Sequence, residues 1–427
     1  MWDPGVGDGY DVLWETQSDD FVHEALELNP IKGFSYIEED GTLSLMVLEA
    51  FQVTLSRFVP VNLAIAHAHN DTDGTVYNVG TSFGIQCSSS FLTPSYCIIK
   101  FPPKEEKNAS PFEHASVISQ IPSSRFLKLS YHHSFGMTEN YFIFVEQPLY
   151  LSMLRLAWSH FVAGTYSDAM HWDENEKTRF HVVRRTDGKL LDTVYVSKGF
   201  FVFHHINAYE EDEHLVVDMC CYDEGEVINS LYVKALEELF SNPKLPSYTF
   251  VSRGKRYVLP LRKFGDNTDE KQNLVSLLNS EAKAYRLSGG SIFLEPETLS
   301  GSDPWCPELP RINYDYNGRK YKYYYAIARK DETVDNVHLI KVDTVSRTTV
   351  SWSEENVVPS EPVFIAEPNS VNEDSGVILA SLLYKDDETK VSMLVLNAKT
   401  MKEIGRVTFA TNASVPGDFH GTFISKA

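Results

Sequence analysis

Three features of the chain predict an all-β fold. From about Gly41 onward, short apolar runs alternate with turn clusters: NDTDG at 70–74, RTDGK at 185–189, YNGRK at 316–320 and NEDSG at 372–376. Aromatic residues make up 12% of the sequence, with 22 Tyr and 25 Phe, and aromatic side chains favour strands. Phe201–Asp212, FVFHHINAYEED, has the β-branched and aromatic content of a buried strand ended by an acidic turn. Many short strands at this spacing mean a sandwich, a barrel or a propeller. No tight internal repeat is visible, which a diverged propeller permits.

Taken in order, residues 1–30 are rich in Gly and Asp and read as an irregular arm. The charged stretches PKEEKN (103–108) and GDNTDEKQ (265–272) read as solvated loops. One segment breaks the strand rhythm: 148–164, PLYLSMLRLAWSHFVAG, is apolar nearly all round. Its narrow polar stripe, Ser152, Arg155 and Ser159, has helical spacing, with Pro148 suited to a first turn and Gly164 to a stop. Such a helix is either buried inside the protein or dips into a membrane surface.

Composition bounds the function. Hydrophobic residues form 43% of the chain, enough for a large core. A formal net charge of −21 argues against nucleic acid, which needs a basic footprint, and against electrostatic docking to anionic lipid. The five cysteines (87, 97, 220, 221 and 306) are odd in number and lack metal-site spacing, which suits a reduced compartment. The first twenty residues are acidic without an apolar run, and no stretch is long enough to span a bilayer. A cytoplasmic protein is expected.

Histidines carry the chemistry. On a regular strand His204 faces one side with Val202 and Ile206, and His205 faces the other. Alone, His204 reads as a hydrogen-bonded core residue. Its weight changes because His67 in VNLAIAHAHND, His133 in KLSYHHSFG and His420 in PGDFHGTF sit in similar apolar runs, expected to be strands. Neutral imidazole is the commonest metal ligand, and four of them could take Zn, Cu or Ni as well as iron.

These stretches resemble the carotenoid cleavage oxygenases. The matching blocks are AHAHNDTDGTVYNVGTSFG (66–84), SYHHSFGMTENYFIFVEQPL (130–149), FHHINAYEED (203–212), ELPRINY (308–314), PSEPVF (359–364), EDSGVILA (373–380) and FHGTF (419–423). The resemblance implies a seven-bladed β-propeller with helical inserts capping one face, occupying 46–427 after a divergent, poorly ordered segment 1–45. It makes His67, His133, His204 and His420 ligands of Fe(II), with His69, His132 and His205 as structural neighbours. Glu308 would orient His204, and Glu361 would orient His420.

The implied reaction is cleavage of a carotenoid double bond by O₂, first of all β-carotene to retinal. An isomerohydrolase acting on retinyl esters, or a truncated form that only binds polyenes, are the alternatives. An apolar patch near the substrate entrance, Leu151, Leu154 and Trp158 here, would touch a membrane. Two departures stand out. Ala68 replaces the usual Pro of AHPH, and no TETN-like motif supplies a glutamate for His133, although Glu38, Glu39 and Glu49 lie in the right region. With N-terminal blades of the family also missing, the ring is expected to be incomplete, and the chain less stable and less active than its longer relatives.

Overall fold

The protein is represented by a computed structural model. It describes residues 57–427 except 83–93, 104–109, 111, 156–157, 159–168, 232–250, 266–268, 302–304, 331–336, 416, 418–419 and 424–427. The irregular arm expected at 1–30, the divergent segment 1–45, and Glu38, Glu39 and Glu49 therefore lie outside the described residues. Two compact units are present. One comprises the chain up to Ser134 with Tyr150–His171 and Asp187–Leu190, and the other comprises Phe135–Leu149, Trp172–Thr186 and the chain from Leu191.

In the first unit, Leu63–Ala64, Val76–Ser82, Ser95–Phe101 and Ser116–Pro122 form an antiparallel sheet, with His69–Asn70 also paired to Val76–Ser82. Val76, Cys97, Ile99 and Phe101 bury against Val59, Val61 and Phe112. The RTDGK turn closes tightly here. Gly188 has φ +66°, and a Cβ on it would lie 1.9 Å from the Ile118 carbonyl oxygen, so only glycine fits.

In the second unit, four sheets follow one another along the chain. The first is six-stranded, from Gly136–Met137 to Ile292–Glu295, and contains one parallel pair, Tyr195–Ser197 with Ile292–Glu295. The next two are four-stranded: Phe201–Glu211, His214–Tyr222, Ser252–Pro260 and Glu297–Thr298, then Trp305–Arg311, Tyr323–Lys330, Val337–Asp343 and Thr348–Trp352. The last runs from Val357–Pro359 to Glu403–Ala410. Sheets pack face to face on their sequence neighbours. Val202, Leu215 and Val217 bury against Ile143, Val182 and Leu294. On the opposite face Ile206, Val216 and Cys220 bury against Tyr324, Ala326 and Ile340. Tyr325 and Leu339 in turn pack on Ile378, Leu382 and Leu394. Each buried Val, Leu or Ile among them is worth about 1.5–3 kcal/mol relative to exposure.

The acidic turn after the histidine strand is a two-residue hairpin. Glu211 pairs with His214, and Asp212 and Glu213 both have positive φ, 45° and 59°, as a type I′ turn needs. No disulfide occurs among the described residues, where Cys97, Cys220, Cys221 and Cys306 are buried.

The expectation of a helix from Pro148 is corrected. Leu149–Ser152 is a strand, with Leu151 opposite Leu129 and only 7% exposed, and helical conformation begins at residue 153. A continuous apolar run reads equally as buried strand or buried helix. Leu151 therefore belongs to the interior, whereas Leu154 and Trp158 are 68% and 66% exposed. The remainder of that segment lies mostly outside the described residues. Helical turns elsewhere among them are short, as in Gly225–Leu231 and Tyr314–Tyr316.

Candidate metal centre

Of the four candidate ligands, only His204 lies on a strand; His67, His133 and His420 sit in irregular chain beside strands. The strand itself is not regular. Its pairing with His214–Tyr222 shifts between Val202 and His205 and again between His205 and Asn207. Each shift is a β-bulge, which adds a residue and re-aims a side chain. Val202 and Ile206 consequently face opposite sides of the sheet, contrary to simple alternation. His205 lies towards Gly136, while the His204 ring turns to the next sheet.

There His204 Nδ1 donates to Glu308 Oε2 at 2.6 Å, and the Leu309 N–H donates to the same oxygen at 2.9 Å. The buried Tyr222 phenol close by has its pKa pushed well up, by burial first and then by the Glu308 charge. His420 is held likewise. Its Nδ1 donates to Glu361 Oε1 at 3.1 Å, and Glu361 is nearly fully buried. Glu361 Oε2 accepts from Arg311 Nη2 at 2.8 Å and from the Gly421 N–H at 3.0 Å. Burial raises the pKa of this carboxyl, but the Arg311 charge and the His420 bond outweigh burial and leave it below the usual carboxylate value. The two imidazole rings lie 5.3 Å apart, edge to face. With each Nδ1 engaged as a donor, each Nε2 keeps its lone pair for a metal.

In the first unit, His67 Nε2 and His133 Nε2 face each other at 2.9 Å, with ring centroids 4.5 Å apart. The chain into His67 is fixed by Asn78, whose side-chain N–H₂ donates to the Ile65 carbonyl at 2.9 Å. His133 Nδ1 meets the Tyr131 hydroxyl at 3.0 Å, with the two rings nearly parallel. His132 points elsewhere: its Nδ1 lies 3.2 Å from the Ser130 carbonyl, its ring meets Tyr96 edge-on, and burial pushes its pKa down to about 4.

The donor set fits a transition metal. Metal–nitrogen bonds of about 2.0–2.1 Å put two imidazole nitrogens at right angles about 3 Å apart, close to the His67–His133 separation. A lone pair directed at a lone pair is repulsive unless a proton or a cation lies between them. Two contributors were missed in the sequence: Tyr131, two residues before His133, and Arg311, three residues after Glu308 in ELPRINY.

Sheets stacked in sequence, with imidazoles held at Nδ1 by carboxylates, define a β-rich protein equipped for metal binding. Residues 25–425 match the family described as retinal pigment epithelial membrane protein, and the chain belongs to that family, the carotenoid cleavage oxygenases. It is 37% identical over 380 residues to the mitochondrial carotenoid-cleaving dioxygenase of Mustela putorius furo, covering 88% of this chain and 68% of that protein. Identity to the β,β-carotene 15,15′-dioxygenase of Gallus gallus is 37% over 377 residues, covering 87% and 68%. The carotenoid isomerooxygenase of Drosophila melanogaster is 34% identical over 442 residues, covering 88% and 68%.

Among solved structures, a Synechocystis apocarotenoid oxygenase superposes with a TM-score of 0.59 at 18% identity, over 85% of this chain and 65% of that one. The fold class is thus the all-β propeller expected from the sequence. The chain spans about two thirds of the length of these relatives.

Proposed function

We propose that His67, His133, His204 and His420 together hold one Fe(II), and that the chain cleaves a carotenoid double bond with O₂, β-carotene to retinal in the first instance. Residues 46–427 form the oxygenase domain in this reading. The observation that carries it is the paired support of His204 by Glu308 and of His420 by Glu361, in a chain related to enzymes named carotenoid dioxygenases. Iron bound there would supply activation of O₂. The protein's own residues do the rest. Glu308 and Glu361 hold the Nδ1 protons, so each Nε2 stays unprotonated and aimed. One C=C and one O₂ give two C=O groups, so no outside reductant is needed. The test is iron content, with product analysis of β-carotene incubated with and without air. Retinal formed only in air supports the reading, and an iron-loaded protein that forms none removes it.

A second reading is isomerohydrolysis of a retinyl ester; its support is limited to isomerisation, which a Drosophila relative named carotenoid isomerooxygenase pairs with oxygenation. Product from retinyl ester without air would identify it. A polyene-binding form without turnover would show bound carotenoid and neither product.

Membrane contact belongs to the same proposal. No helix among the described residues is long and apolar enough to cross a membrane. Leu154 and Trp158, both largely exposed, would instead dock a cytoplasmic protein peripherally to reach its apolar substrate. Leu154→Ser with Trp158→Ser should abolish flotation with liposomes, and high salt should not, because an acidic protein gains nothing from anionic lipid. Release by salt alone would refute apolar docking. The ferret relative carries "mitochondrial" in its name, so cell fractionation decides the compartment.

A further inference from the structure

The strand Trp305–Arg311 carries Glu308, and three residues later Arg311. On a regular strand residues three apart face opposite sides. Here the pairing with Tyr323–Lys330 shifts: Glu308 lies opposite Ile327 and Arg311 opposite Tyr325, so the 305–311 strand holds one extra residue between them. Leu309, inside that bulge, has φ +49°, in the left-handed region that a branched aliphatic residue rarely enters. The bulge resets the alternation and lets one strand serve two histidines. Glu308 reaches His204, and Arg311 reaches the group that holds His420.

The Arg311 contacts form a closed ring. Its Nη2 donates to Glu361 Oε2 at 2.8 Å and to the Gly421 carbonyl at 2.8 Å, while the Gly421 N–H donates to the same Glu361 oxygen at 3.0 Å. The other Glu361 oxygen accepts from His420. His420 sits in irregular chain, so no strand ladder fixes its backbone; this ring does.

We propose that Arg311 is a positioning residue for His420, fixing both the Glu361 carboxylate and the backbone that presents the imidazole. The proposal rests on the four-histidine reading above. Arg311 touches neither substrate nor metal in it, and it acts on His420 through Glu361 and Gly421.

The test uses the full chain titrated with Co(II), whose visible absorption reports ligand geometry independently of turnover. Arg311→Gln keeps N–H donors and removes the charge, and Arg311→Lys keeps the charge; the site is partly open, so both should fold, which circular dichroism checks. Arg311→Gln should weaken Co(II) binding about tenfold and change the band, within the usual range for losing an outer partner. Arg311→Lys should recover part of the affinity. Wild-type affinity and spectrum in Arg311→Gln, beside a weakened Glu361→Gln, would overturn the proposal and leave the metal reading standing. Undiminished binding in His420→Ala would overturn both.

Discussion

The two histidine pairs are built differently. In the second unit, His204 and His420 each donate a hydrogen bond from Nδ1 to a glutamate, and one of those glutamates is itself held by Arg311. In the first unit, His133 meets a tyrosine hydroxyl, and its Nε2 faces that of His67. A carboxylate only accepts, so it dictates the tautomer, and its charge strengthens the bond. A phenol can donate or accept, so it holds the ring's direction but dictates no tautomer. The difference teaches that aim and basicity are separable: stacking and a neutral hydrogen bond supply the first, and only a charged partner supplies the second.

That contrast can be broken at its strongest point first. Removing an imidazole should abolish metal binding whichever unit it comes from: His204→Ala and His133→Ala should both purify without iron, by elemental analysis. Full occupancy in either would take that histidine out of the site. Glu308→Gln and Glu361→Gln come next, each expected to lower metal affinity by about 10–100-fold. Tyr131→Phe should cost only about 2–10-fold, the worth of one neutral hydrogen bond. If Tyr131→Phe proved as costly as Glu308→Gln in the same titration, the two pairs would be equivalent and the contrast would fall. The smallest effect is on pH. Ligand imidazoles must be neutral to bind, so affinity is lost on acidification, with a midpoint that a pH titration of metal binding reads. Tyr131→Phe should leave that midpoint unmoved, and a shifted midpoint would mean that the phenol sets His133's basicity after all.

Much of this was legible in the residues. The strand at 201–211 could be read from its β-branched and aromatic content, and the hairpin turn from its acidic end. Both glutamates could be named because ELPRINY and PSEPVF are intact. Alternation gave the right opposition of His204 and His205, yet it put Val202 with Ile206, because a bulge leaves no mark in composition. The strand at Leu149–Ser152 was hidden for another reason: an apolar run carries no period when both faces are covered. Arg311 and Tyr131 went unread because their roles depend on bonds to groups fifty residues away or on a ring stacked beside its neighbour. Neither feature has a one-dimensional signature.

The doubled bulge beside His204 bears on how this chain tolerates changes of length. In a regular strand the loss of one residue exchanges the faces of every side chain beyond it. Between Val202 and Asn207 the strand instead carries two residues more than its partner spends over the same span. Deleting Phe203 or Ile206 would be absorbed by closing the ladder to one-for-one pairing, and Ala208, Tyr209 and the hairpin would keep their faces. His204 would lose the local twist that brings it to Glu308. A shortened gene could thus encode a protein that folds, sits in the same sheet and binds no metal, so descendants that have left catalysis behind are to be sought by counting residues here as much as by looking for a missing histidine.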